Sequence, residues 1–208
     1  CDIVGADVRL VAQAMGMDYR INPRFLSPGV GYGGSCFPKD VRALYHLARE
    51  KKYEAALLRE VDLVNERQKR KIIQKIYERF GAEVGKKQFT LWGLSFKPNT
   101  SDIREAPSLT IIQELLKEGA AVVVYDPIAM EEMQKVFSHA VQYASSLVES
   151  VRGSSAILVV TEWDEFRNAP LHQLGEVMNE KIIFDGRNIY EPEMVREEGF
   201  EYYGVGRK

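Results

Sequence analysis

The residues best suited to chemistry lie in one stretch, residues 25–40, with the sequence FLSPGVGYGGSCFPKD. Its glycines remove side chains, so the backbone can adopt positive φ and approach a ligand closely. Pro38 suits the first turn of a helix, which would leave Ser35 or Cys36 at the cap. A thiol beside the free N–H groups of a helix N-terminus favours the nucleophilic thiolate. The stretch therefore predicts a reactive cysteine.

Two charged residues follow this cysteine. Lys39 adds a fixed positive charge, and Asp40 is a candidate base or water-orienting carboxylate. A lone cysteine is more often a small buried hydrophobe, and glycine-rich loops are often only turns. The residue pattern by itself therefore leaves both a reactive and a structural cysteine open.

Residues 29–34 also satisfy G-x-G-x-x-G, the fingerprint of a dinucleotide-binding loop. That fingerprint requires a preceding buried strand and a following βαβ unit. Pro23 and Pro28 flank only four residues here, too few for a central strand, and helices follow. We therefore predict no dinucleotide site in this loop.

Composition excludes several classes of function. The 28 basic and 30 acidic residues are mixed along the chain, so no basic stripe predicts nucleic-acid binding. No apolar run is long enough for a membrane span, and no metal site is predicted. Two cysteines do not form a disulfide framework and suit a reducing cytoplasm. Since residue 1 is Cys rather than Met, a fragment of a longer protein is expected.

The first part of the chain is predicted to be helical. Asp7 would cap a short helix ended by Gly16, and residues 41–50 form a second helix. Apolar residues then recur at three- and four-residue spacing over residues 57–80, which predicts one long amphipathic helix ended by Gly81. Its apolar face is either core within one chain or an interface.

The period changes after residue 88. Strands are predicted over residues 89–94, 121–125, 155–160 and 181–184, alternating with helices over 108–118 and 130–137. This alternation indicates an α/β fold with a parallel sheet and helices on both faces. The loop after the first strand carries Lys97, with Arg104 near the next helix. Both are plausible phosphate ligands or solvated surface charges.

Three motifs carry a resemblance to a known family: GYGGSCFPKD preceded by GMDYRI, GLSFKPNTSDIREAPSL at residues 93–109, and FDGRN at residues 184–188. Together they resemble the UDP-glucose 6-dehydrogenase branch of the UDP-glucose/GDP-mannose dehydrogenases, which oxidise a sugar C6 alcohol to a carboxylate with NAD. The resemblance covers the whole chain but only the central and C-terminal parts of that family. It implies that an NAD-binding domain lies upstream.

The resemblance also implies residue roles. Cys36 matches the catalytic nucleophile, with Asp40 beside it, and Lys39 and Arg104 match contacts to NAD. Substrate contacts are implied for Lys97, more weakly for Arg187, and for Arg20, which would reach the sugar nucleotide of a dimer partner. The loop that wraps the uridine and sugar matches Phe25, Leu26, Ser27, Pro28 and Gly29, with Gly33.

The architecture implied is a central helical dimerisation segment, residues 1–85, followed by a Rossmann-like UDP-sugar-binding domain, residues 86–208. UDP-glucose is the expected substrate and a homodimer through the central helix the expected assembly. Two alternatives stay open. One is a dehydrogenase for GDP-mannose or a UDP-N-acetylhexosamine, and the other is a non-catalytic nucleotide-binding module.

Overall fold

The computed structural model describes residues 1–207, and within them no helix has both the length and the apolar character needed to cross a bilayer. Four helices form the first part of the chain: α1 (Val8–Gly16), α2 (Phe37–Glu50), α3 (Ala56–Gln68) and α4 (Lys71–Phe80). As predicted, Asp7 caps α1, and its carboxylate accepts the Arg9 N–H at 2.7 Å. Short 3-10 turns occupy Pro23–Phe25 and Gly81–Lys86.

The single helix predicted over residues 57–80 is wrong, because a turn at Lys69 and Arg70 separates α3 from α4. The Arg70 N–H bonds to the carbonyl of Arg67, three residues back, which tightens the chain there. Lys69 is buried at this turn, with Nζ 2.8 Å from Glu66 Oε1 and 3.3 Å from Glu105 Oε2. The apolar period is shared by both helices and therefore did not reveal the turn.

Six parallel strands form one sheet in the order β3-β2-β1-β4-β5-β6. The strands are β1 (Gln88–Trp92), β2 (Ala121–Tyr125), β3 (Gln142–Tyr143), β4 (Ala156–Val159), β5 (Ile182–Asp185) and β6 (Glu201–Gly204). The four predicted strands are confirmed, whereas β3 and β6 were not predicted. Helices between and beside them are α5 (Pro107–Lys117), α6 (Met130–Phe137), α7 (Leu147–Val151), α8 (Asp164–Arg167), α9 (Leu171–Val177) and α10 (Pro192–Glu197).

Both faces of the sheet are covered. Successive strand residues point to opposite faces, so Leu91 and Trp92 of β1 belong to two different apolar clusters. Helices α4 and α5 cover the face that contains Leu91, and Phe166 of α8 stacks on Trp92 with ring centroids 5.3 Å apart. The buried side chains of α4 pack on the sheet and belong to the same apolar cluster as residues of the strands. The expected α/β class with a parallel-sheet domain is confirmed.

Candidate functional site

The carboxyl ends of β1, β4 and β5 face one edge of the sheet, and the strand order reverses direction between β1 and β4. Ligands of open parallel sheets bind at such a switch point. The loops after β1 and β4 touch there: the Thr161 hydroxyl donates to the Ser95 carbonyl at 2.7 Å. A Cβ on Gly93 would lie 2.4 Å from the Thr161 Cβ, so only glycine permits this approach. The contact fixes the start of the loop that carries Lys97.

The turn after β5 presents Arg187. The carboxylate of Asp185, which is fully buried, accepts the Arg187 N–H at 3.1 Å and the Tyr202 hydroxyl at 3.1 Å. Burial raises the pKa of Asp185, against the lowering effect of these donors. The Arg187 guanidinium pairs with Glu162, with Nε 2.7 Å from Oε2. Asp185 and Glu162 thus hold Arg187 from its backbone and its side chain.

Arg187 also meets the loop of residues 25–29. A Cβ on Gly29 would lie 2.4 Å from the Arg187 Nη1, so the guanidinium rests against the backbone of that glycine. Residues separated by more than 150 positions are therefore brought together, as the resemblance implied for a shared ligand.

The glycine loop that follows is held from α3. The Asn65 side chain accepts the Tyr32 N–H at 2.8 Å and donates to the Tyr32 carbonyl at 3.1 Å. The Gln68 amide donates to the Gly29 carbonyl at 2.7 Å. Gly31 has φ +94°, and a Cβ there would lie 2.7 Å from the Asn65 oxygen. Three polar contacts on one helix therefore set the path of the loop.

The other side of the glycine loop rests on residues 96–106. The Gly34 N–H donates to the Arg104 carbonyl at 2.8 Å, and Gly34 has φ +88° with its Cα facing the Phe96 ring. A Cβ on Gly33 would lie 2.5 Å from the Glu105 carbonyl oxygen. The loop that carries Cys36 and the segment from Lys97 to Arg104 are therefore in direct contact.

Cys36 is exposed at the N-cap of α2, as the proline pattern predicted, but its side chain makes no capping hydrogen bond. Its Sγ lies 3.7 Å from the Ser35 hydroxyl. The pKa of Arg104 is raised mainly by its ion pair with Asp102 at 2.8 Å and, more weakly, by the charge of Cys36. Cys36 therefore lies at a helix start and within electrostatic reach of a guanidinium.

Asp40 lies one helical turn beyond Cys36, and its N–H donates to the Cys36 carbonyl at 2.9 Å. Its carboxylate is exposed and 3.7 Å from the Lys39 ammonium. Residues four apart on a helix share a face. The Asp40 carboxylate is thus on the side of α2 that carries Cys36.

Two concavities border the loop of residues 25–29. The larger, about 750 Å³, is largely apolar and is lined by that loop, α3, Phe37 and Arg187. The smaller, about 380 Å³, lies between α1, the same loop, Glu162 and Arg187. Both volumes fall within the usual range for small-ligand pockets. Ser27 and Arg187 line both concavities and lie at the boundary between them.

Some predicted site residues lie outside both concavities. The Arg20 side chain is 74% exposed and pairs with Asp18 at 2.6 Å. Lys97 is exposed, with Nζ 5.3 Å from the centre of the Phe96 ring. Lys39 and Asp40 project from the first turn of α2. These four line neither concavity, and the same holds for Gly33, Cys36 and Arg104.

Sequence reasoning missed Asn65, Gln68 and Glu162. The first two had a signal: residues 61, 65, 68 and 72 fall on one helical face, where Val61 and Ile72 are apolar. A polar side chain on such a face must find a partner when it is buried. No comparable pattern pointed to Glu162.

Two family models match the chain. One, described as the UDP-glucose/GDP-mannose dehydrogenase family, central domain, matches residues 1–67. The other, the UDP binding domain of the same family, matches residues 90–192. UDP-glucose 6-dehydrogenase YwqF of Bacillus subtilis (strain 168) is 44% identical over 208 residues, which are 100% of this chain and 47% of that protein. The chain therefore spans about half the length of the curated relatives it matches.

Solved structures agree with this likeness. A UDP-glucose dehydrogenase from the archaeon Pyrobaculum islandicum superposes with a TM-score of 0.86 at 32% identity, covering 99% of this chain and 45% of that one. An NDP-N-acetyl-D-galactosaminuronic acid dehydrogenase from Methanosarcina mazei Go1 gives 0.84 at 26% identity, covering 98% of this chain and 45% of that one.

Proposed function

Because the chain belongs to the UDP-glucose/GDP-mannose dehydrogenase family, we propose that it is the nucleophile-bearing and sugar-nucleotide-binding part of an NAD-dependent UDP-glucose 6-dehydrogenase. The observation that carries this proposal is the packing of the Cys36 loop on the sheet edge. That packing places a thiol at a helix start beside a loop with two cationic side chains. UDP-glucose is the substrate named for relatives at 44% and 40% identity, whereas the N-acetylated-sugar enzyme is 26% identical.

The nucleotide sugar would lie between the two parts of the chain. Lys97 and Arg187 supply cations for a diphosphate, and Arg187 already rests on Gly29. Phe25, Leu26, Ser27, Pro28 and Gly29 offer backbone groups and the exposed Phe25 ring to the uridine and sugar, with Gly33 behind them. Phe25, Ser27, Gly29 and Arg187 line the larger concavity, which supports this placement.

The thiol serves the second of two oxidations. Once the C6 alcohol has become an aldehyde, the Cys36 thiolate adds to the carbonyl carbon, and the oxygen takes up a proton to give a thiohemiacetal. Loss of hydride from that carbon, with loss of the hydroxyl proton, gives a thioester. Water then adds, the C–S bond breaks, and acid and thiol are released. Asp40, on the same helical face, holds or activates the water.

NAD, when bound, accepts the hydride in each oxidation. Lys39 and Arg104 are the residues of this chain that would contact it. Their side chains are 73% and 68% exposed, so a phosphate in solvent can reach both cations. Each is paired with an acidic neighbour, Asp40 or Asp102, with which the phosphate would compete. This arrangement fits an anionic cofactor approaching from the solvent side of the cysteine.

The assembly we propose is a homodimer through the central helices. Leu57 and Val64 on α3 are 77% and 51% exposed, and Leu44 on α2 is 53% exposed. Apolar patches of this kind mark interaction sites, and a two-fold arrangement covers the same face on both subunits. Arg20 would then reach the partner's nucleotide. Sedimentation that shows only monomer at micromolar concentration would overturn this assembly.

Both cysteines are free and exposed, which supports a reducing compartment such as the cytoplasm. A non-reducing gel of protein purified without reductant tests this: disulfide-linked material that is required for binding or activity would contradict it.

Calorimetric titration of the 208-residue chain tests whether it binds the sugar nucleotide but not NAD. We expect heat on addition of UDP and UDP-glucose, since the loop, Lys97 and Arg187 are all present. We expect none with NAD, because two exposed contacts of about 0.2–1 kcal/mol each fall far short of the ~8 kcal/mol of a micromolar ligand. Tight NAD binding, or no UDP binding, would place the sites elsewhere.

Two measurements on the full-length protein test the reaction. Turnover with UDP-glucose, GDP-mannose and a UDP-N-acetylhexosamine identifies the sugar, and we expect UDP-glucose to be oxidised fastest. Replacement of Cys36 by alanine should abolish acid formation, whereas normal formation of uronate would exclude the covalent route. A non-catalytic module would instead show no oxidation and an alkylation rate at Cys36 like that of an ordinary exposed thiol.

A further inference from the structure

Asn65 has a buried side-chain amide beside the loop that leads to Cys36, and both its oxygen and its nitrogen are hydrogen-bonded to that loop. Asn65 is 3% exposed, its oxygen accepts the Tyr32 N–H and its nitrogen donates to the Tyr32 carbonyl. Both backbone groups of one loop residue are thus paired with a single buried side chain. Since unpaired buried polar groups are costly, this pairing favours one position of the loop over others.

Two further contacts make the arrangement specific. The Asn65 oxygen lies where a side chain on Gly31 would be, so this glycine is needed for the amide to approach. One turn along α3, Gln68 donates to the Gly29 carbonyl at 2.7 Å. The loop is therefore held at residues 29 and 32, on the two sides of a glycine with positive φ.

A short stretch of backbone connects the pairing of Tyr32 with Asn65 to the position of Cys36. Three residues separate Tyr32 from Cys36, and two of them, Gly33 and Gly34, pack against residues 96–106. Contacts with α3 on one side and with residues 96–106 on the other therefore fix the position of the start of α2. Release of Tyr32 would let the thiol move relative to the helix N-terminus and to Arg104.

We propose that Asn65, assisted by Gln68, is a positioning residue for the nucleophile: it fixes Cys36 through the backbone of Tyr32. That Cys36 is a nucleophile rests on the proposed function, whereas its dependence on Asn65 does not. Asn65 and Gln68 line the larger concavity together with Val61 and Val64, so they lie on the same face of α3. Both the oxygen and the nitrogen of the Asn65 amide are paired with Tyr32, so its effect on Cys36 passes through the loop backbone.

The chain contains a matched control. Asn188 is 8% exposed and pairs its amide with both backbone groups of Val205, at 2.8 and 2.9 Å. It follows Arg187 in the turn after β5 and lines the smaller concavity, and its positive φ of 49° makes loss of the asparagine at least as disruptive locally. Asn188→Ala therefore removes the same two bonds as Asn65→Ala without touching the cysteine loop.

The experiment measures two quantities on the 208-residue chain: hydrogen exchange of the Tyr32 and Val205 amides, and iodoacetamide alkylation of Cys36 at pH 7, resolved from Cys1 by peptide mapping. We expect Asn65→Ala to deprotect Tyr32 alone and to slow Cys36 alkylation by at least about threefold, because the thiol leaves the helix start. Asn188→Ala should deprotect Val205 and leave the Cys36 rate unchanged.

A second variant guards against misfolding. Asn65→Asp keeps the size and the acceptor for the Tyr32 N–H but loses the donor to the Tyr32 carbonyl, so it should fold and show a smaller slowing. An unchanged or faster Cys36 rate in a folded Asn65 variant would overturn the proposal, as would equal slowing by Asn188→Ala. Loss of the proposed activity in other assays would not alter either rate, so the two failures are distinguishable.

Discussion

The sheet and the first three helices are held together by different forces. Around the sheet, apolar side chains from both faces are buried, and the largest of them, such as Trp92 and Phe184, have no exposure. In α1 no residue is buried, in α2 only Pro38 and Val41, and in α3 only Asn65. The candidate nucleophile belongs to the second region, where polar contacts at Gly29 and Tyr32 and the fully buried side chain of Val30 set the path of its loop.

This difference has a functional meaning. A rigid sheet can present Lys97 and Arg187 without help, since their loops start at buried strands. The glycine loop is instead held by Asn65, Gln68 and the 96–106 segment, with Val30 buried in the sheet core, and apolar side chains beside it stay exposed. The sheet is therefore the fixed reference, and the helical region is the less buried part.

The prediction with the largest expected effect concerns truncation of an aliphatic side chain to alanine in each region. Ile76→Ala in α4 leaves a cavity in the sheet core, where Ile76 is fully buried, and should cost about 2–5 kcal/mol. Leu57→Ala in α3, 77% exposed, should change the unfolding free energy by less than about 0.5 kcal/mol. Urea unfolding of the chain at a concentration where it is monomeric measures both, and similar losses would refute the distinction.

The next prediction concerns the contact between the glycine loop and residues 96–106, where the two regions meet. Gly34→Ala forces a side chain into φ +88° with its Cβ 3.0 Å from the Phe96 ring, which should cost about 1–3 kcal/mol. Gly119→Ala is the control, because it has φ +81° and no atom within 4 Å. Unfolding free energies for the pair separate backbone strain from packing. Equal losses would mean that the contact with Phe96 contributes nothing.

The smallest effect involves pH. Arg42, and then Lys69, lower the pKa of Glu105 below its usual 4.5, so its ion pairs stabilise the fold fully above pH 4.5 and lose this effect below it, as the pH falls through the lowered pKa. Glu105→Gln should cost about 0.5–1 kcal/mol at pH 7, since the carboxylate is partly solvated, and progressively less at lower pH. Urea unfolding from pH 7 to pH 3.5 checks this. A gap that widens on acidification would contradict the sign.

Much of the sheet could be predicted from sequence because its strands are continuous apolar runs. Strand β2 coincides with the predicted segment, and β1, β4 and β5 differ from theirs by a few residues. Strand β3, with two residues, and β6, with two tyrosines between Glu201 and Gly204, have no such run. Local pattern cannot reveal strands that form only because a neighbouring strand is already in place.

The helical region was less predictable because its decisive contacts are polar and distant. The turn at Lys69 depends on Glu105, 36 positions away, and the loop position depends on an asparagine 33 positions from Tyr32. Periodicity placed Gln68 on the apolar face of α3 but gave no partner for it. Cys36 at a helix start was predictable, because proline and glycine act through the local backbone.

The measurement that tests the central claim most directly is the mass of the peptide carrying position 36 during turnover. In the full-length protein supplied with UDP-glucose and NAD, Cys36→Ser should retain a covalently bound uronoyl nucleotide after quenching, because an alkoxide leaves less readily than a thiolate. The account predicts that this ester accumulates and that Cys36→Ala carries no adduct. Continued formation of free acid by Cys36→Ala, with no adduct at position 36 of any variant, would contradict it.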